Sequence, residues 1–128
     1  MTNAVAINHP IETPQMLFGS DNINDFGNRV KSCRMDGDSM QPTIEPCEIV
    51  GFIDCGGRVL TQGIYVFTRE IFGRTCVFIK RIEPLDNGAL NIISDNYHYR
   101  AFILTHDEQS DMQIHGRVVA SLAVRRFV

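Results

Sequence analysis

"CVFIKRIEPLDNGALNIIS", residues 76 to 94, sets the fold class. Two apolar runs rich in β-branched residues flank Asp86-Asn87-Gly88, and Asn-Gly suits the type I′ turn whose twist matches that of paired strands. The reading is strand, tight turn, strand. Outward from this hairpin the same grammar repeats: short apolar runs at Arg29 to Met35, Glu48 to Ile53, Gly63 to Thr68, Cys76 to Ile82, Ala89 to Ser94, Ala101 to Leu104 and Met112 to Val124. The separators "DCGG", "TQG", "IFGR" and "SDNYHY" are built from residues that tight turns favour. Only "RVVASLAVRR" carries a hint of helical spacing, so a helix from Val118 onward is the alternative to a long last strand. The expectation is a mainly β chain, several curved sheets in one compact domain.

At 128 residues the chain is long enough for one domain that buries about two thirds of its unfolded surface. Residues 1–27 mix Asn, Asp, Pro and Gly with few periodic apolar positions. They read as an N-terminal arm or interdomain linker, with the folded part over 28–128. A net charge of −3 and a pI near 5.7 remove the basic footprint of a domain that grips phosphate backbones by itself. No stretch approaches 18 consecutive apolar residues and no signal peptide is visible, so the expectation is a cytoplasmic chain with no membrane span.

Cys33, Cys47, Cys55 and Cys76 form no C-x-x-C pair, and the reading is reduced, mostly buried thiols. His9, His98, His106 and His115 are scattered, without the spacing of a zinc site. No metal and no cofactor is expected.

"RMDGDSMQPTI", residues 34 to 44, places one serine, Ser39, between Asp38 and Met40 just after Gly37. A serine hydroxyl is a weak nucleophile until a base takes its proton. No histidine shows a partner pattern that would orient it as that base. Lysine is the other route, and "CVFIKRI" supplies one: on a strand Cys76, Phe78, Lys80 and Ile82 share a face. Burial among apolar neighbours disfavours the ammonium form, and a shift of roughly 3 pKa units is within what burial produces. A turn at Gly37-Asp38-Ser39 and a lysine whose charge reaches water are the competing structural readings.

These residues carry a resemblance. "DGDSMQPTI", "EIVGFID", "GIYVF", "FIKRI" and "SDNYHY" followed by "IHGRVV" occur in the order seen in LexA-like and phage-repressor-type serine-lysine autopeptidases, whose β fold is shared with signal peptidases. The chain resembles the C-terminal regulatory domain of a phage repressor over about residues 30 to 126, with Ser39 and Lys80 standing 41 positions apart. The resemblance implies Ser39 as nucleophile and Lys80 as general base, Gly37 and Met40 flanking the serine, and backbone N–H groups around Asp38 and Ser39 as oxyanion donors. Asp38 shapes the turn in this view. It implies self-cleavage, homodimers or higher oligomers, a RecA filament as trigger, and operator DNA reached only through a helix-turn-helix domain that these residues do not contain.

The run from Met112 to Val128 is the candidate for the dimer contact. A UmuD-like accessory subunit of an error-prone polymerase and a catalytically silent oligomerisation module are the alternatives. Two features depart from the pattern: Pro46-Cys47-Glu48 stands where relatives have Gly-Asp, so that turn must be built differently, and no Ala-Gly occurs in the chain.

Overall fold

In a computed structural model the described residues are 5–6, 30–123 and 127. The expected arm over 1–27 lies outside them apart from one two-residue strand, β1 (Val5–Ala6). Seven further strands follow: β2 (Val30–Arg34), β3 (Ile49–Ile53), β4 (Gly63–Ile71), β5 (Arg74–Pro84), β6 (Leu90–Ile93), β7 (Phe102–Leu104) and β8 (Met112–Leu122). All seven expected runs are strands, and the last is a strand through Leu122 where a helix from Val118 was the alternative.

Every pairing is antiparallel, in the order β2-β3-β8-β4-β5-β6-β7, with β1 added on β5. The mainly β class is as expected; the strands are joined by hydrogen bonds into one path, where several sheets were expected. Two register shifts, at Gly51/Phe52 and at Val66/Phe67, interrupt the pairing of β8 with its two neighbours, and such a bulge sharpens local twist. Gly116 makes the β3–β8 approach possible, since a Cβ there would lie 2.4 Å from the Ile53 carbonyl oxygen.

The turns follow their residue types. Ile71 pairs with Arg74 across Phe72-Gly73, and both turn residues have positive φ, the type I′ pattern. Asn87 and Gly88 also have positive φ, but the connection of β5 to β6 is the three-residue loop Asp86–Gly88, where the two-residue turn was expected. The Leu85 N–H closes it by donating to the Ala89 carbonyl. The Pro46-Cys47-Glu48 turn is closed by Cys47 itself, which adopts φ 71° while its N–H donates to the Met35 carbonyl. For a residue with a Cβ that left-handed backbone costs roughly 1–2 kcal/mol. Cys47→Gly is therefore expected to raise unfolding stability by about 1 kcal/mol, read as a shifted urea midpoint at constant slope.

Alternation along the strands divides the apolar side chains into two buried clusters. One joins Met35, Met40, Ile44, Val50, Phe52, Val66, Val77 and Ile79. The other joins Tyr65, Phe67, Ile82, Leu90, Ile92 and Leu104. Each such side chain contributes about 1.5–3 kcal/mol on full burial, so elements rooted in these clusters are fixed in place.

All four cysteines are free thiols, as expected, but they are less buried than the sequence suggests: Cys47 is exposed and the others are half-buried. Cys47 is exposed because it makes a surface turn. Burial pushes the Cys33 thiol up to about 12, which keeps it protonated and inert. Among the described residues no helix is long and apolar enough to cross a membrane.

β8 runs between β3 and β4; β4 pairs with its first half, Met112 to Arg117, and β3 with its second half, Arg117 to Leu122. What the Met112–Val128 run could offer a second copy is the face carrying exposed Val119 and the edge of residues 118–122 that β4 does not cover. Residues 124–126 and 128 lie outside the described residues.

Candidate active site

Ser39 lies on the loop between β2 and β3. Met35 and Ile44, one on each side of it, are both in the first core cluster, and so is its neighbour Met40, which is 0% exposed. Gly37 takes φ 82°, a left-handed conformation that glycine adopts without steric cost, and this turns the chain inward at Asp38. Ser39 is itself 0% exposed, and its Oγ has no hydrogen-bond partner. An orphaned buried hydroxyl costs about 1–3 kcal/mol, so its presence calls for an explanation outside stability. Among the described residues no hydrogen bond takes the backbone N–H of Asp38 or Ser39 either, which leaves two donors beside the hydroxyl.

Lys80 comes from the middle of β5. Tyr65 is its partner on β4, and Phe78 and Ile82 stand on its own side of the strand with the second core cluster. It is 7% exposed, and burial lowers its ammonium from 10.5 to about 8. No neighbouring charge contributes to that shift; desolvation is its cause. Nζ donates to Ser94 Oγ at 2.9 Å and lies 5.5 Å from the centre of the Tyr99 ring.

The structure therefore gathers Ser39 and Lys80 around shared neighbours without joining them by a hydrogen bond. The shared neighbours are residues 94–99. Ser94 follows the last β5–β6 pair, Arg81 with Ile93, which puts it alongside Lys80. Asp95 accepts both Arg81 Nε and an Arg81 terminal nitrogen at 2.8 Å, and also the Thr43 hydroxyl. Asn96, buried, donates its backbone N–H to the Ser39 carbonyl at 2.9 Å and its Nδ2 to the Asp38 carbonyl at 3.0 Å. The Tyr99 hydroxyl donates to Asp38 Oδ1, and that bond raises the tyrosine's pKa. Asp38 thus holds the turn to the 94–99 loop.

Gly37, Asp38, Ser39 and Met40 stand together on one loop; Lys80 approaches from another element. Sequence reasoning misses the residues that bridge them, because "SDNYHY" reads as a turn and Arg81 only as a residue of the opposite strand face. The signal that could find them is position: a Ser-Asp-Asn run directly after the strand that pairs with the lysine strand. No histidine replaces Lys80. His115 is bonded to the Thr68 hydroxyl at 3.0 Å, and His98 is exposed beside Tyr97.

Along the edge of β5 that faces β6, β6 covers Arg81 to Pro84 and β1 covers Cys76 and Val77. Phe78, Ile79 and Lys80 have no strand beside them on that edge among the described residues.

A family model described as Peptidase S24-like matches residues 4–119. The match begins within the stretch read as an arm, well before residue 30. No curated protein matches the chain.

Proposed function

The chain belongs to the Peptidase S24-like family, and from that premise we propose that it is the self-cleaving regulatory domain of a phage-type repressor, with Ser39 as nucleophile and Lys80 as general base. The observation that carries the reading is a pair of costly features in one place. A buried hydroxyl is left without a partner, and a buried lysine is held near pKa 8 by desolvation alone. Either would be selected against in a purely structural site.

In the reaction the neutral Lys80 amine takes the Ser39 proton as Oγ attacks the scissile carbonyl. The ammonium then protonates the leaving amine, and water releases the acyl group from Ser39. The free N–H groups of Asp38 and Ser39 supply donors for the oxyanion. An extended substrate strand fits the open edge at Phe78–Lys80, next to the point where β1 already adds to β5. Dimerisation would bring two operator-binding domains to two half-sites.

The missing Ser39–Lys80 hydrogen bond favours a second reading, a catalytically silent oligomerisation module. Time courses of self-cleavage by the full-length protein, from about pH 6 to about pH 11, separate the two. An autopeptidase cleaves itself faster as the pH passes about 8, and Ser39→Ala stays whole. A wild-type protein that stays whole throughout, with and without nucleoprotein filament, leaves the silent module.

A further inference from the structure

We propose that Asp95 is a positioning residue, whose carboxylate ties the loop carrying Ser39 to the strand carrying Lys80 and so sets the separation at which the two side chains meet. The inference rests on the serine-lysine reading and adds to it a group that touches neither reacting atom.

The three residues Ser94, Asp95 and Asn96 each grip a different part of the site. Ser94 receives the lysine amine, Asn96 holds the Ser39 and Asp38 carbonyls, and Asp95 lies between them. Asp95 is the one that bridges loop and strand directly: Thr43 is on the Ser39 loop, Arg81 on β5. Arg81 and Lys80 are consecutive on β5 and so project to opposite faces, which lets the guanidinium grip Asp95 from the far side of the strand while the amine meets Ser94. The carboxylate side chain is 12% exposed and accepts three donors, two of them as a parallel pair from one guanidinium. Such a planar, bidentate arrangement fixes angle as well as distance, which an exposed single-contact ion pair does not.

The role is geometric, not electrostatic. Desolvation is the cause of the lowered Lys80 pKa, and the Asp95 charge is paired with the Arg81 guanidinium. Removing the carboxylate therefore changes how often Ser39 and Lys80 meet, and leaves unchanged the pH at which the amine becomes neutral.

The test uses a fluorophosphonate reagent on the intact protein. Ser39 Oγ forms a bond to phosphorus, fluoride leaves, and the serine proton passes to Lys80, so the labelling rate reads the pair without any peptide substrate. Rates are followed against pH by mass spectrometry of the Ser39 peptide, with urea unfolding run in parallel. Thr43→Val cuts only the loop side of the bridge, at an exposed residue; Asp95→Ala cuts both sides. The expected result is a plateau rate lower by several-fold for Thr43→Val and about tenfold or more for Asp95→Ala, with the midpoint near pH 8 in both.

Plateau rates equal to wild type overturn the inference alone, as do losses that only follow the unfolded fraction. A displaced midpoint overturns it in favour of an electrostatic role. Wild-type protein that does not label at Ser39 overturns the serine-lysine reading and this inference with it. Thr43→Val keeps the test decisive if Asp95→Ala does not fold.

Discussion

Lys80→Met is expected to lower Ser39 reactivity and self-cleavage by about 10²–10⁴-fold while making the domain more stable at neutral pH. The two effects have one cause. Folding moves the amine from water, where its pKa is near 10.5, to a site where it is about 8. A shift of that size corresponds to roughly 3 kcal/mol of burial cost while the group is charged. Loss of the Lys80–Ser94 hydrogen bond offsets about 1 kcal/mol of the gain, so the variant should be about 1–3 kcal/mol more stable at pH 7.

The pH dependence has a fixed sign. Below about 8 both folded and unfolded chains carry the charge and the folded state bears the full cost. Between about 8 and 10.5 the unfolded chain binds more protons, so wild-type stability rises with pH in that window. The advantage of Lys80→Met is therefore full at pH 7 and fades as the pH climbs toward 10.5. Urea unfolding at several pH values, beside a labelling assay, reads both halves. A variant that is inactive but less stable at pH 7 would mean that the lysine is a structural residue, well solvated in the folded state.

Legibility in the amino-acid sequence divides along physical lines. Strand content is legible because it depends on local pattern: the β-branched alternation of "CVFIKRI" and the left-handed preference of Asn87-Gly88 act over a few residues. The company Lys80 keeps is legible for the same reason, since strand alternation places it with Phe78 and Ile82; that its amine stays buried instead of reaching water is settled by packing across β4. The joining of all strands into one path is not, because it depends on β8 entering between β3 and β4, a pairing of distant segments set by total packing. The bridging roles of Ser94, Asp95 and Asn96 are hidden likewise. Asp95 meets Thr43 across 52 positions, and no local rule gives that distance. The Cys47 turn is visible as an anomaly and its solution is not: the chain keeps the left-handed backbone and accepts the strain of a non-glycine residue.

The second large effect concerns the residue after the nucleophile. Met40→Ala is expected to cost about 2–5 kcal/mol of unfolding stability, the range for removing a long apolar side chain from a closed core. Met40 is 0% exposed and packs in a cluster with Met35, Ile44, Val66, Val77 and Ile79. Its carbonyl also accepts the Ile44 N–H at 2.9 Å, so the side chain anchors the same short turn that the backbone closes. An empty space at that point frees the turn to shift, and Ser39 moves with it. Since a displacement of about 1 Å can cost 10²-fold in a positioned reaction, Ser39 labelling per folded molecule should fall by about 10- to 100-fold. Met40→Leu, which nearly conserves volume, should lose less than about 1.5 kcal/mol and keep most of the reactivity. Urea unfolding gives the folded fraction and mass spectrometry the labelling rate. Equal reactivity per folded molecule in Met40→Ala and wild type would show that Ser39 is held by Gly37 and Asn96 alone, with the core anchor serving stability only.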